Sequence, residues 1–212
     1  MRKLAIALAV SVGLLGFGAP QASAQIPWES TLLLSPSAPA GFSAHLVRFD
    51  YSIANTLGGL ITYRPVTGAG GVGYRVAFAE GNINREMAVA GGVDFSGLLS
   101  RRNEHFPVDL MWFAGFGGGF SDYATVGVPF GLAFGRPVDG RAAWFNPYLS
   151  TRGVLEYGFG DWSPPDEGAT LAVAVDVGAD LALGSSRALV LRLGASLGDR
   201  QTLVVGFNMG GR

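Results

Sequence analysis

Histidine and cysteine, which often carry acid–base or nucleophilic chemistry in enzymes, are scarce in the chain. It contains two histidines and no cysteine. His45 follows Ser43 in an alternating segment, and His105 lies in a polar stretch that ends at Pro107. Hydrolytic enzymes need a nucleophile and a base, or paired acids, within hydrogen-bond reach, and neither histidine stands in such a pattern. We therefore predict that the protein is not an enzyme, has no catalytic residues, and binds no metal or cofactor.

Two further segments could bind a ligand by composition. Gly68 to Gly73 is rich in glycine, but no lysine follows it and no strand–helix pattern surrounds it, so a phosphate loop is not indicated. The acidic loop from Gly160 to Gly168 lacks the spacing of a calcium loop. As the longest predicted loop, it is the candidate for a surface contact.

Ten charged residues occupy alternate positions of predicted strands, each opposite the apolar face of its strand. Five are arginines and five are carboxylates, so they can pair and hydrogen-bond one another in a narrow interior. A selective pore would carry an excess of one sign. We therefore predict a closed lumen filled by a charge network of Arg48, Asp50, Arg64, Arg75, Asp94, Arg152, Glu156, Asp176, Asp180 and Arg192.

The elements that would position these charges are β-strands. Between residues 169 and 183, for example, Leu171 and Val173 fall on one side while Asp176 and Asp180 fall on the other, which is the period of two of a strand. Short glycine-rich turns separate such segments and indicate antiparallel neighbours. The predicted strands cover residues 42–52, 58–66, 72–80, 86–99, 107–117, 122–134, 142–157, 169–183, 188–198 and 201–210.

Two barrel architectures share this alternation. A membrane barrel places the apolar face in lipid and the charges inside, whereas a soluble lipocalin-like barrel binds an apolar ligand on an inward apolar face. Membrane strands need about 9–11 residues, and soluble strands usually have about 5–6. The predicted lengths favour an all-β, closed, antiparallel up-and-down transmembrane barrel of about ten strands, with eight as the alternative.

The first residues have the layout of a secretory signal peptide. Arg2 and Lys3 precede an apolar run, and the small residues Ala22 and Ala24 form an A-x-A pattern before Gln25. We predict cleavage after Ala24. The predicted organisation is a signal peptide over 1–24, an N-terminal linker over 25–40 and a β-barrel domain over 41–212.

Charge and hydropathy exclude two further classes of protein. Without Arg2 and Lys3, the 15 basic residues fall to 13 against 16 acidic ones. The predicted mature chain therefore carries a net charge of about −3, and without an excess of basic residues a nucleic-acid-binding protein is not predicted. No uninterrupted apolar run of about 18 residues follows the signal, so membrane helices are not predicted.

Aromatic residues near the predicted strand ends form a second candidate feature. Tyrosine and tryptophan favour the boundary between lipid and water, because one end of the side chain is apolar and the other is polar. The sequence therefore predicts an aromatic girdle, for which the candidates are Tyr51, Tyr63, Trp112, Tyr123 and Tyr157.

The signal peptide, the amphipathic strands, the short glycine-rich turns and a last strand of the type Leu203 to Met209 together resemble a known family. The chain from about Phe42 resembles the small outer-membrane β-barrel proteins of Gram-negative bacteria, the group around the OmpA transmembrane domain. The resemblance implies a location in the cell outer membrane, with outer-membrane lipid and the barrel-assembly machinery as partners. From the predicted closed lumen we expect a structural or interaction role within that membrane; a small pore or transporter of solutes is the alternative.

Overall fold

Eleven β-strands make up most of the chain in the computed structural model, which describes residues 33–50, 55–80, 87–120, 124–140, 143–159, 169–183, 187–199 and 201–210. Within these ranges, no helix is long and apolar enough to cross a membrane. The strands are β1 Gly41–Asp50, β2 Asn55–Arg64, β3 Gly70–Glu80, β4 Met87–Ser100, β5 Asp109–Phe120, β6 Ala124–Gly135, β7 Val138–Asp139, β8 Ala143–Phe159, β9 Ala169–Leu183, β10 Leu189–Gly198 and β11 Thr202–Met209.

Ten long strands close into a barrel. Each of them pairs antiparallel with its neighbours in the order β6-β5-β4-β3-β2-β1-β11-β10-β9-β8, and β6 also pairs with β8, so the sheet has no free edge among the long strands. The two-residue strand β7 only extends the sheet beside the first residues of β8. The predicted closed antiparallel barrel is therefore confirmed, with ten strands rather than eight.

The up-and-down path gives the barrel two distinct ends. Because the number of long strands is even, β1 begins and β11 ends at the same end, which we call the termini end. The connections β2–β3, β4–β5, β6–β8 and β9–β10 also lie there. At the other end, which we call the far end, β1, β3, β5, β8 and β10 end and β2, β4, β6, β9 and β11 begin. The residues between β8 and β9, 160–168, lie outside the described ranges.

The two faces of the sheet differ in polarity. In β11, Leu203, Val205 and Phe207 are exposed, whereas Thr202 and the other alternate residues are buried. Every long strand contributes at least one large exposed apolar side chain to the exterior, and the buried charged side chains point inward. A lipocalin-like barrel needs the reverse arrangement, so that alternative is contradicted.

Large rings cover glycines on the outer surface. The space beside Gly59 is occupied by the ring of Phe78 from the paired strand, and Gly97 is covered in the same way by Trp112. Such aromatic–glycine pairs fix the strand register, because the ring needs a neighbour without a side chain. The abundance of glycine therefore helps to specify the barrel.

Candidate functional site

The first polar cluster of the lumen is centred on Asp94 in β4. Its carboxylate accepts hydrogen bonds from Arg64 of β2 and from Arg75 of β3, the latter at 2.6 Å from Nε to Oδ2. Arg64 also donates to the hydroxyl of Ser96, at 3.2 Å. Gly73, which stands opposite Asp94, leaves the space that the carboxylate fills. One buried acid thus links three strands.

A second cluster is centred on Asp176 in β9. The Nε of Arg152 lies 2.9 Å from its Oδ2, and both side chains are fully enclosed. Ser150 donates to the same oxygen at 3.1 Å, and Ser196 donates to the other oxygen. The two serines face Asp176 directly in the register of β8 and β10. Alternation along the three strands therefore builds this cluster.

The third cluster connects the barrel wall to the segment that precedes β1. The Nε of Arg192 in β10 lies 2.8 Å from the Oδ1 of Asp180 in β9. The Nη2 of the same arginine donates a hydrogen bond to the backbone carbonyl of Leu33 at 2.7 Å. The Nδ2 of Asn146 donates to Asp180 at 3.1 Å and to the hydroxyl of Ser35 at 2.9 Å. These bonds hold the N-terminal segment inside the lumen.

The segment 33–40, which we call the lumen segment, was predicted as part of a linker, and the structure corrects this. Leu33 and Leu34 are each only 2% exposed, and Ser35 is fully buried. The backbone is held near the termini end, where the Gly68 amide donates to the Ala38 carbonyl at 2.8 Å. A buried backbone needs such partners, and the strand walls supply them. The earlier part of the predicted linker and the signal peptide, with Ala22 and Ala24, lie outside the described residues.

Truncation of Leu34 tests the packing of the lumen segment. Its side chain lies among Met111, Phe113 and Ala133. We expect Leu34→Ala to lower the free energy of unfolding by about 2–5 kcal/mol, because it removes buried contacts and leaves a cavity. Unfolding by guanidinium chloride in detergent micelles measures this effect. Leu99→Ala on the outer surface is the matched control, and an equal effect of both variants would mean that the segment is not packed inside.

Eight of the ten charges predicted for the lumen are buried and point inward. Besides the residues of the three clusters, they include Glu156, which is 3% exposed in β8. The prediction for Arg48 was wrong: its side chain is exposed on the outer face, in the same alternating row as Phe42 and Leu46. In β1 the inward residues are Ser43, His45 and Val47, so the odd positions face the lumen. The side chain of Asp50, at the end of β1, lies outside the described part.

Three of the predicted girdle residues lie on the outer surface near strand ends. Tyr63 and Trp112 stand close to the termini end, and Tyr157 stands close to the far end. The ring centroids of Tyr63 and Phe42 are 4.5 Å apart, and those of Tyr157 and Phe159 are 4.8 Å apart. Aromatic clusters thus occur near both rims. Tyr51 and Tyr123 lie outside the described residues.

Several uncharged polar residues of the lumen were not predicted. Tyr148 and Asn146 lie in the same inward row of β8 as Ser150, and Asn208 of β11 donates to the Ala40 carbonyl at 3.0 Å. The alternation of polar residues in β8 was the signal that could have identified them. His45 is also buried in the lumen, where neither ring nitrogen has a hydrogen-bond partner among the described residues.

The two histidines occupy different parts of the molecule. His45 is inside the barrel, whereas His105 is exposed in the connection between β4 and β5, where its amide donates to Asn103 at 2.9 Å. Within the described ranges, no group of three or more histidine, aspartate or glutamate side chains is arranged to hold a metal ion. The arrangement of the lumen is suited to mutual neutralisation of arginines and carboxylates.

The chain was compared with protein families, curated protein sequences and solved structures. No protein-family model matches the chain, and no curated protein sequence matches it either. Among solved structures, it is similar to a de novo designed transmembrane β-barrel, with 16% identity over 81% of this chain and 96% of that chain and a TM-score of 0.35.

Proposed function

We propose that the protein is an outer-membrane β-barrel with a closed lumen and a structural or interaction role in that membrane. The apolar exterior supports the membrane location, because exposed apolar surface of this extent on all sides of a barrel is stabilised by lipid. The N-terminal pattern of a signal peptide supports export. His45 lies inside the barrel and His105 outside it, so the two histidines do not share a site. We therefore propose a role without catalysis.

The proposal of a closed lumen rests on the side chains and the chain segment that fill the interior of the barrel. Three clusters of ion pairs line the interior, each joining neighbouring strands, and the lumen segment occupies the lumen near the termini end. The buried arginines and acids neutralise each other, so they provide no field that would attract one type of ion. A small pore or transporter would need a continuous water-filled path, and the side chains at these positions leave little room for one.

Conductance across a planar lipid bilayer tests the closed lumen. We expect the purified protein, inserted from detergent, to give no large and stable conductance steps in concentrated potassium chloride. A general porin that is inserted in the same way serves as the positive control, and protease protection verifies that the barrel has entered the bilayer. Stable open channels from verified insertions would refute the closed lumen and favour the pore.

Membrane location is tested separately by cell fractionation and gel migration. The mature protein should be recovered with the outer membrane, and it should migrate differently on a gel before and after boiling, because an intact barrel resists detergent. Recovery in the soluble periplasm would contradict the membrane proposal whatever the conductance.

A further inference from the structure

Arg48 departs from the rule that charges point into the barrel. Among the described side chains of the ten long strands, it is the only charged one that points outward. It lies two residues before the end of β1 and therefore close to the far end. An arginine on a lipid-facing surface is costly unless its guanidinium reaches the polar boundary of the bilayer. Its position near a strand end allows this.

A shallow apolar groove of about 570 Å³ lies beside Arg48, on the outer surface of β1, β11, β10 and β9. The strand register explains the groove. In the row that contains Arg48, Leu203 of β11 is followed by Ala195 of β10 and then by Val177 of β9. Ala195 is small and stands between two branched side chains, so the surface dips there. Apart from Arg48, the lining residues are all apolar or glycine.

Arg48 and the groove follow one another along the barrel axis, in the same order as the headgroup and the acyl chain of a lipid in a bilayer. The row of Arg48 is nearer to the far end than the next outward row, which contains Leu46, Val205 and Leu193. A headgroup at Arg48 would therefore stand at the boundary of the bilayer, while an acyl chain in the groove would extend towards its middle.

We propose that Arg48 and this groove bind an anionic membrane phospholipid, with its phosphate at the guanidinium and one acyl chain in the groove. The proposal rests on the proposed membrane location. Guanidinium groups bind phosphate oxygens through charge-assisted and often bidentate hydrogen bonds. A protein partner fits less well, because stable protein interfaces bury about 1,200–2,000 Å² and the groove is a narrow depression with a single charge.

Native mass spectrometry of the protein released from detergent micelles tests the site. Phosphatidylglycerol and phosphatidylcholine with the same acyl chains are the two probes. We expect the unmodified protein to retain phosphatidylglycerol preferentially, and Arg48→Gln to lower this preference about tenfold, because it removes a hydrogen bond to a charged group. Ala195→Leu fills the groove and should reduce the retention of both lipids. Arg101→Gln, at an exposed arginine of the termini end, is the control and should change neither.

The outcomes separate this site from the membrane proposal. Every variant is first inserted into vesicles and checked for heat-modifiable migration. If the unmodified protein fails that check, the membrane location itself is refuted. If the protein inserts and Arg48→Gln keeps the lipid preference, the lipid site is overturned. A dimer that Ala195→Leu abolishes, without retained lipid, would assign the groove to a second copy of the chain and would also overturn the lipid site.

Discussion

Replacement of Asp94 by alanine is expected to lower the free energy of unfolding of the barrel by about 3–5 kcal/mol. Asp94 is the acid that Arg64 and Arg75 both contact inside the lumen. Its removal leaves two guanidinium groups enclosed without this counter-charge. The cost of burying a charge without its partner exceeds the gain from any relaxation of the side chains.

Unfolding by guanidinium chloride in detergent micelles measures this loss. Asp139→Ala is the matched control, because Asp139 pairs with Arg187 on the surface, where the two side chains are 65% and 48% exposed. Exposed pairs contribute about 0–1 kcal/mol. Combining Asp94→Leu with Arg64→Met and Arg75→Met should restore most of the stability, because apolar side chains of similar size carry no desolvation cost. Equal effects of Asp94→Ala and Asp139→Ala would contradict the buried network.

Gly131→Ala is expected to prevent or strongly weaken barrel closure. A methyl group at this position would overlap the backbone carbonyl oxygen of Thr151 and would lie 2.7 Å from the ring of Phe113 and 3.0 Å from the Cα of Arg152. Two of these obstacles are backbone atoms of β8, the long strand that pairs with β6. We expect a loss of about 3 kcal/mol, the upper end of the usual cost of overpacking, since a clash with backbone cannot be relieved by a side-chain rotation.

The measurement is the fraction of protein that migrates as the compact, unboiled form, together with its unfolding curve. Gly91→Ala in β4 is the matched control, because the nearest atom to its new methyl group is the carbonyl oxygen of Arg75 at 3.4 Å, an ordinary contact. Both variants change the flexibility of the unfolded chain in the same way. If both fold equally well, the close approach of β6 and β8 at Gly131 is refuted.

The strand pattern could be predicted because side chains alternate strictly in a sheet. The strand predicted at 169–183 has those bounds in the structure, and the one predicted at 42–52 is observed as Gly41–Asp50. The inward charges of β8, β9 and β10 followed from the same alternation. Periodicity within one strand was sufficient wherever one face was clearly apolar.

Arg48 and the lumen segment could not be predicted in this way, for two different reasons. In β1, Leu46 points outward and Val47 points inward, so apolar residues occupy both faces and the alternation does not distinguish them. The lumen segment has no period, and its position depends on partners far along the chain, such as Arg192 for the carbonyl of Leu33. A local pattern does not specify such distant contacts.

The lumen segment also constrains the order in which the molecule can fold. Its hydrogen bonds join residues 111, 159 and 168 positions apart, to Asn146, Arg192 and Asn208 respectively. The circle closes where β11, the last strand to be made, meets β1, the first. Loop-closure entropy makes such distant pairings slow to form. Inserting the segment into a finished cylinder would be slower still, so we expect it to be in place while the seam between β1 and β11 is open. We expect its enclosure and the sealing of that seam to occur together, late in folding.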